Sequence, residues 1–102
     1  MRTITVQELK SKIDSGEAFH FLDVREPGEY QQANLGAHLL PLGQIANAQI
    51  DDIEDWKNNE VIIHCRSGMR SGQACMILES MGFTNVVNVM GGILAWSAEF
   101  GV

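Results

Sequence analysis

At 102 residues the chain has the length of one domain, and folding at this size buries roughly two-thirds of the unfolded surface, enough for a core without staples. Apolar residues make up 45% and charged residues 20%, which excludes a disordered or fibrous chain. Lys plus Arg total 7 against 13 Asp plus Glu, and a net charge of −6 gains nothing from counterion release on DNA or RNA and disfavours anionic lipid surfaces.

The opening residues, MRTITVQELK, hold no apolar core of a secretory signal, and no apolar run nears the ~20 residues that cross a bilayer. Cys65 and Cys75 can form at most one bridge, too few for a disulfide scaffold. The expectation is a reduced, cytoplasmic protein that binds neither nucleic acid nor membrane.

Thr5-Val6-Gln7-Glu8 fits a capping box, and Gly16 is placed to stop that helix near Ser15. Phe19 to Val24 reads as a short strand, apolar apart from His20 and Asp23, as suits a parallel sheet covered on both faces. Glu26-Pro27-Gly28-Glu29-Tyr30 opens a short helix, since Pro is favoured in a first turn. Leu39-Leu40-Pro41-Leu42 reads as a brief edge strand, because Pro41 cannot donate to a ladder. Gln44 to Trp56 carries Ile45, Ile50, Ile53 and Trp56 among acids, the pattern of one or two short helices. Val61 to His64 is a buried strand, and Cys65 to Arg70 a loop. Ser71 to Met81 is a helix with Ala74, Ile77, Leu78 and Met81 on one face and Gly82 at its end. Val86 to Val89 is the next strand, and Ile93 to Phe100 a last helix after Gly91-Gly92. Strands alternating with helices predict an α/β fold on a largely parallel sheet, a single domain over residues 1–102.

The chemistry concentrates between Val61 and Ser71. Ligands of open α/β sheets sit beyond the carboxyl ends of strands, and loop amides with a helix N-terminus form an anion site there. A cysteine in that place has its thiol pKa lowered, because its thiolate is itself an anion. A shift of two units corresponds to ~2.7 kcal/mol, and a helix terminus supplies only about 0.3–1 kcal/mol. Arg66, Arg70 and aligned amides are expected to supply the rest. Packing is the commonest fate of a cysteine. A packing cysteine has no reason to sit beside Arg66 and Gly68, however, so Cys65 is read as the nucleophile. Cys75 is read as packing, about three turns and ~15 Å along a continuous helix from the loop. Two cysteines without ligand spacing leave no metal site to expect.

These residues resemble those of the single-domain rhodanese family of sulfurtransferases. Leu22-Asp23-Val24-Arg25-Glu26-Pro27-Gly28-Glu29-Tyr30 resembles the family's first signature, Cys65-Arg66-Ser67-Gly68-Met69-Arg70-Ser71 its active-site loop, and Gly91-Gly92-Ile93-Leu94-Ala95-Trp96 its C-terminal signature. The resemblance implies a five-stranded, mainly parallel sheet with helices on both faces, and a Cys65 that cycles through a persulfide. It departs at Gln32-Ala33-Asn34, where the family often carries Gly-His-Ile, a difference that bears on the rim of the site. Phosphatases and arsenate reductases share this fold, and the phosphatase loop places Arg six positions after the cysteine. Here position 71 is Ser and the arginine falls at 70. By resemblance the shorter loop suits a single sulfur atom and not a phosphoryl group.

The implied reaction is attack of the Cys65 thiolate on the sulfane sulfur of thiosulfate or a similar donor, followed by transfer to cyanide in vitro or to a cellular thiol. Arg66 binds or steers the donor, and Arg70 does the same or holds the loop. Ser67 donates a hydroxyl hydrogen bond or caps the turn, Gly68 supplies a backbone conformation, and exposed Met69 is placed to shape acceptor choice. Asp23 and Arg25 tie a strand end to neighbouring loops or touch the active-site loop, Trp96 belongs to the core in preference to a substrate platform, and His64 either tunes the thiolate or is a buried hydrogen-bonded imidazole. No cofactor is implied. The partners implied are a small anionic sulfur donor and an acceptor thiol or protein. The competing reading is a persulfide carrier that delivers sulfur to a partner protein.

Overall fold

A computed structural model describes residues 1–102. The elements run β1 (Arg2–Ile4), α1 (Val6–Asp14), β2 (His20–Asp23), α2 (Pro27–Gln32), β3 (His38–Leu39), α3 (Leu42–Ala46), a 3-10 helix (Asp51–Trp56), β4 (Val61–His64), α4 (Met69–Ser80), β5 (Val86–Val89) and α5 (Gly92–Phe100). The five strands form one sheet in the order β1-β5-β4-β2-β3, every neighbouring pair parallel. This is the expected α/β architecture, with β4 in the middle.

Alternation along β4 divides the core. Val61, Ile63 and Cys65 join Ile45, Ile53, Ala74, Cys75 and Leu78 on the face covered by α3, the 3-10 helix and α4. Ile62, with Val87 and Val89 of β5, packs instead against Val6 and Leu9 of α1 and Ala95 and Trp96 of α5. Residues of one strand thus point to two layers of helices, the reason β4 is buried throughout. No helix is long and apolar enough to cross a membrane.

The Thr5 capping box forms as expected, with Thr5 Oγ1 accepting from the Glu8 amide and Glu8 accepting from the Thr5 amide. Beyond shifts of one or two residues at other element ends, three differences from the sequence reading bear on the site's surroundings. The strand β1 was not expected, because Arg2 and Thr3 are exposed and three residues show no periodicity. The edge strand β3 lies at His38–Leu39, ahead of Pro41, although pairing continues as the Leu40 and Leu42 amides donate to the Asp23 and Val24 carbonyls at 2.8 and 3.0 Å. The helix α4 starts at Met69, two residues before the expected Ser71, because Gly68 turns into the left-handed region at φ 107° and begins it there. Cys75 lies six residues past that start, ~9 Å along the helix axis.

Candidate active site

Cys65 follows the last residue of β4 and lies 1% exposed at the floor of its loop. The Gly68 amide donates to Cys65 Sγ at 3.1 Å, and Ser71 Oγ lies 3.3 Å from the same sulfur. The loop can aim its amides inward because its carbonyls are held from outside. The Ile93 and Leu94 amides, in the first turn of α5, donate to the carbonyls of Cys65 and Arg66 at 2.9 and 3.1 Å. Gly92 permits that approach: it sits at φ 54°, and a Cβ there would collide with the Cys65 carbonyl oxygen and with the Arg66 carbonyl.

Burial pushes the Cys65 thiol up, but hydrogen bonds from the Ser71 hydroxyl and from the amides of Ser71, Gly68 and Ser67 outweigh it, leaving the thiol below its ordinary value. Aligned amides were expected to share this effect with Arg66 and Arg70; hydrogen-bond donors lead it, with the Ser71 hydroxyl first among them and the amides after it. Cys75 behaves in the opposite way, its thiol pushed up to about 12 by burial in the core and by Glu79. Only one of the two cysteines sits where a thiolate is supported.

Arg70 is held by an acid of another element. Its guanidinium makes a two-pronged pair with Glu29 of α2, at 2.7 and 2.8 Å, binding the first turn of α4 to α2. Such a pair is the geometry expected of a residue that holds the loop, one of the two roles open to Arg70. The pair brings the Glu29 carboxyl down to about 2, chiefly through the Arg70 hydrogen bonds. A carboxyl lowered in the folded state stabilises the fold above its ordinary value of 4.5 and loses that contribution as pH falls toward 2. The stability difference between wild type and Glu29→Gln should therefore be constant above pH 4.5 and shrink toward pH 2. Urea unfolding across that range tests it; a difference that stays flat to the acid end would contradict the pairing.

Arg66 is exposed and makes no ion pair. It lines a cleft of about 230 Å³ together with Glu29, Gln32, Ala33, Leu94 and Ser97. The departure from the family pattern at Gln32-Ala33 therefore falls on the wall of this cleft. Ser67 is exposed, and it reaches the sulfur through its amide, not through its hydroxyl. Met69 is 76% exposed at the start of α4.

Behind the loop, Arg25 grips Asp23 through Nε and Nη2 at 3.0 and 2.8 Å and donates to the Ala33 carbonyl at 2.8 Å, tying the end of β2 to the residue that follows α2. His64 is fully buried and its Nδ1 lies 3.2 Å from the Cys65 carbonyl oxygen. Burial chiefly lowers the His64 pKa, so the ring is neutral. Its Nε2 faces Asp23 at 3.4 Å without a hydrogen bond: with the one ring hydrogen on Nδ1 toward the Cys65 carbonyl, Nε2 and the carboxylate are both acceptors. Trp96 packs in the second core layer, as expected.

Two residues of the site had no role in the sequence reading. Ser71 sits one position past the loop, and α4 returns its hydroxyl to the sulfur. Asn88 of β5 places Oδ1 2.5 Å from Ser71 Oγ and donates through Nδ2 to the Gly68 carbonyl at 3.1 Å. A polar residue between Val87 and Val89 was the available signal.

Comparison with known proteins gives one consistent answer. The family model described as Rhodanese-like domain matches residues 5–99. YrkF of Bacillus subtilis, whose name proposes a sulfur carrier, is 35% identical over 97 residues; the match covers 94% of this chain and 51% of YrkF. This chain thus spans about half the length of that relative. Thiosulfate sulfurtransferase PspE of Escherichia coli is 41% identical over 75 residues, covering 72% of this chain and 71% of PspE. The crystal structure of a rhodanese-like domain protein from Staphylococcus aureus superposes with a TM-score of 0.83 at 33% identity, covering 94% of this chain and 91% of that one. A match over residues 5–99, carried by relatives and by a solved structure alike, makes this chain a member of the rhodanese-like domain family.

Proposed function

We propose that this chain is a sulfurtransferase that moves a sulfane sulfur through a Cys65 persulfide. The observation that supports this best is the Cys65 sulfur at the floor of a cradle of inward amides and one hydroxyl, beyond the carboxyl end of β4. With thiosulfate as donor, the Cys65 thiolate attacks the outer sulfur and forms a new sulfur–sulfur bond. The old sulfur–sulfur bond breaks, and sulfite leaves with its electron pair. Cyanide or a thiolate then attacks the outer sulfur of the persulfide, carries it off as thiocyanate or a new persulfide, and restores the Cys65 thiolate. Amides that hold the thiolate are equally suited to the anionic outer sulfur. A cysteine that is 1% exposed suits a small terminal sulfur in preference to a bulky group.

Arg66 is the donor-steering residue in this reading. Arg70 is neutralised by Glu29, so Arg66 is the one unpaired cation of the loop on a chain of net charge −6. Arg66→Ala should raise the thiosulfate KM roughly fivefold, about 1 kcal/mol, and flatten the dependence of kcat/KM on salt. Discharge of preformed persulfide by cyanide should change less. Equal salt slopes in the two proteins would remove Arg66 from donor binding.

A carrier reading draws on the name of YrkF and on the exposed side chains near the loop, with Met69 76%, Met90 58% and Leu94 47% exposed. An apolar rim of this kind suits contact with an acceptor protein. Steady-state thiosulfate:cyanide kinetics separate the readings. Sustained turnover supports the enzyme; slow turnover with stoichiometric persulfide supports the carrier. Generic aryl phosphate tests the phosphatase alternative, and hydrolysis at a comparable rate would overturn sulfur transfer.

A further inference from the structure

We propose that Asn88 is a positioning residue for the Cys65 sulfur, acting by competing with it for the single hydroxyl hydrogen of Ser71. The inference rests on the sulfur-transfer reading of the site and adds a residue to it.

The Gly68 carbonyl can only accept, so the group Asn88 presents to it at 3.1 Å must be the amide nitrogen. The Asn88 oxygen is then the atom that faces Ser71 Oγ at 2.5 Å. Ser71 therefore lies between two acceptors, Asn88 Oδ1 and the Cys65 sulfur at 3.3 Å, and owns one hydrogen. With Cys65 as a thiol, its S–H donates to Ser71 Oγ and the Ser71 hydrogen goes to Asn88. Every donor then has an acceptor. With Cys65 as a thiolate, the sulfur has no hydrogen, and the Ser71 hydroxyl must rotate to serve it, leaving Asn88 Oδ1 unpaired.

Asn88 thus draws on the hydrogen that the thiolate needs. The consequence for transfer follows from where charge sits. Attack on a donor turns the anionic Cys65 sulfur into the uncharged inner sulfur of a persulfide, a much weaker acceptor. The Ser71 hydrogen can return to Asn88 as the new bond forms. An acceptor waiting on the far side of Ser71 keeps the thiolate from being held too tightly to react, because nucleophilicity falls as thiol pKa falls.

The test reads the titration of Cys65 by thiolate ultraviolet absorbance, with Cys65→Ser subtracted to remove the contribution of Tyr30. Cys75 does not interfere, since its thiol is pushed up to about 12. The charged and titratable groups around Cys65 are His64 on β4, Arg66 and Arg70, Glu29 on α2, and the Asp23–Arg25 pair at β2. All of them are retained in the variants. Asn88→Leu and Asn88→Val remove the competing acceptor; Val is at home in a strand of Val86, Val87 and Val89, so one of the two should fold. Each should lower the Cys65 midpoint by about half to one pH unit, as expected for a hydrogen bond redirected to a charged group. In a Ser71→Ala background, where no hydroxyl remains to be shared, the same substitutions should leave the midpoint unmoved. An equal shift in both backgrounds, no shift in either, or a raised midpoint in the Ser71 protein would overturn the proposal. The titration uses no sulfur donor, so its outcome is independent of whether the chain transfers sulfur.

Discussion

Cys65→Ser should reduce sulfur transfer by at least ~10³-fold while leaving the protein folded and within about 1 kcal/mol of wild-type stability. A serine hydroxyl at this floor can still accept from the Gly68 amide and the Ser71 hydroxyl, so the cradle keeps its partners. It cannot form a persulfide, so the reaction stops. Cys75→Ala is the matched control. It removes a fully buried sulfur from the layer that also holds Ile45, Ile53 and Leu78, costing ~1 kcal/mol of packing, and should keep most of the turnover. Steady-state rates and urea midpoints of both variants check the pair. Turnover retained in Cys65→Ser would end the assignment of the nucleophile.

Gly92→Ala should be among the most damaging single-methyl additions in the chain. The added carbon has no free space, since the carbonyls of Cys65 and Arg66 already lie against that position, and the residue occupies φ 54°. Backbone strain and overpacking each cost about 1–3 kcal/mol, so the variant should lose roughly 2–5 kcal/mol, on the order of 10–30 °C in Tm. The folded fraction should also turn over more slowly, because the Ile93 and Leu94 amides would no longer hold the two carbonyls that keep the loop amides turned to the sulfur. Gly28→Ala supplies the comparison. Nothing lies within 4 Å of a methyl there, and Gly28 belongs to the first turn of α2, so its Tm should stay near wild type. Equal melting of the two variants would show that the close approach of α5 to the loop is not what fixes the cradle.

What the sequence made legible follows from the range of the forces involved. The strands β2, β4 and β5 announce themselves as apolar runs, because burial on both faces is written locally. The strand β1 does not, since its three residues take their identity from pairing with β5 at Arg2↔Val87 through Ile4↔Val89. The same division holds in the site. Cys65 and Gly68 stand out because a cysteine, a glycine and two arginines within one loop are a local pattern. The role of Arg70 depends on Glu29, forty-one positions away, and no spacing rule reaches that far. The sequence reading left the partner of Arg70 unseen for this reason: the acid that pairs with it sits on another element. Ser71 and Asn88 escaped notice because each looks ordinary alone. Only the fold brings a first-turn hydroxyl onto the sulfur and a mid-strand amide, seventeen positions away, onto that hydroxyl.

The central claim is that Cys65 carries the transferred sulfur as a persulfide. The most direct measurement is the intact mass of the reduced protein after brief exposure to thiosulfate, with peptide mapping to locate any added atom. The account predicts one added sulfur on wild type, mapped to the peptide holding Cys65, lost on treatment with cyanide and absent from Cys65→Ser. An unchanged mass in wild type, or an added sulfur that persists in Cys65→Ser, would contradict it.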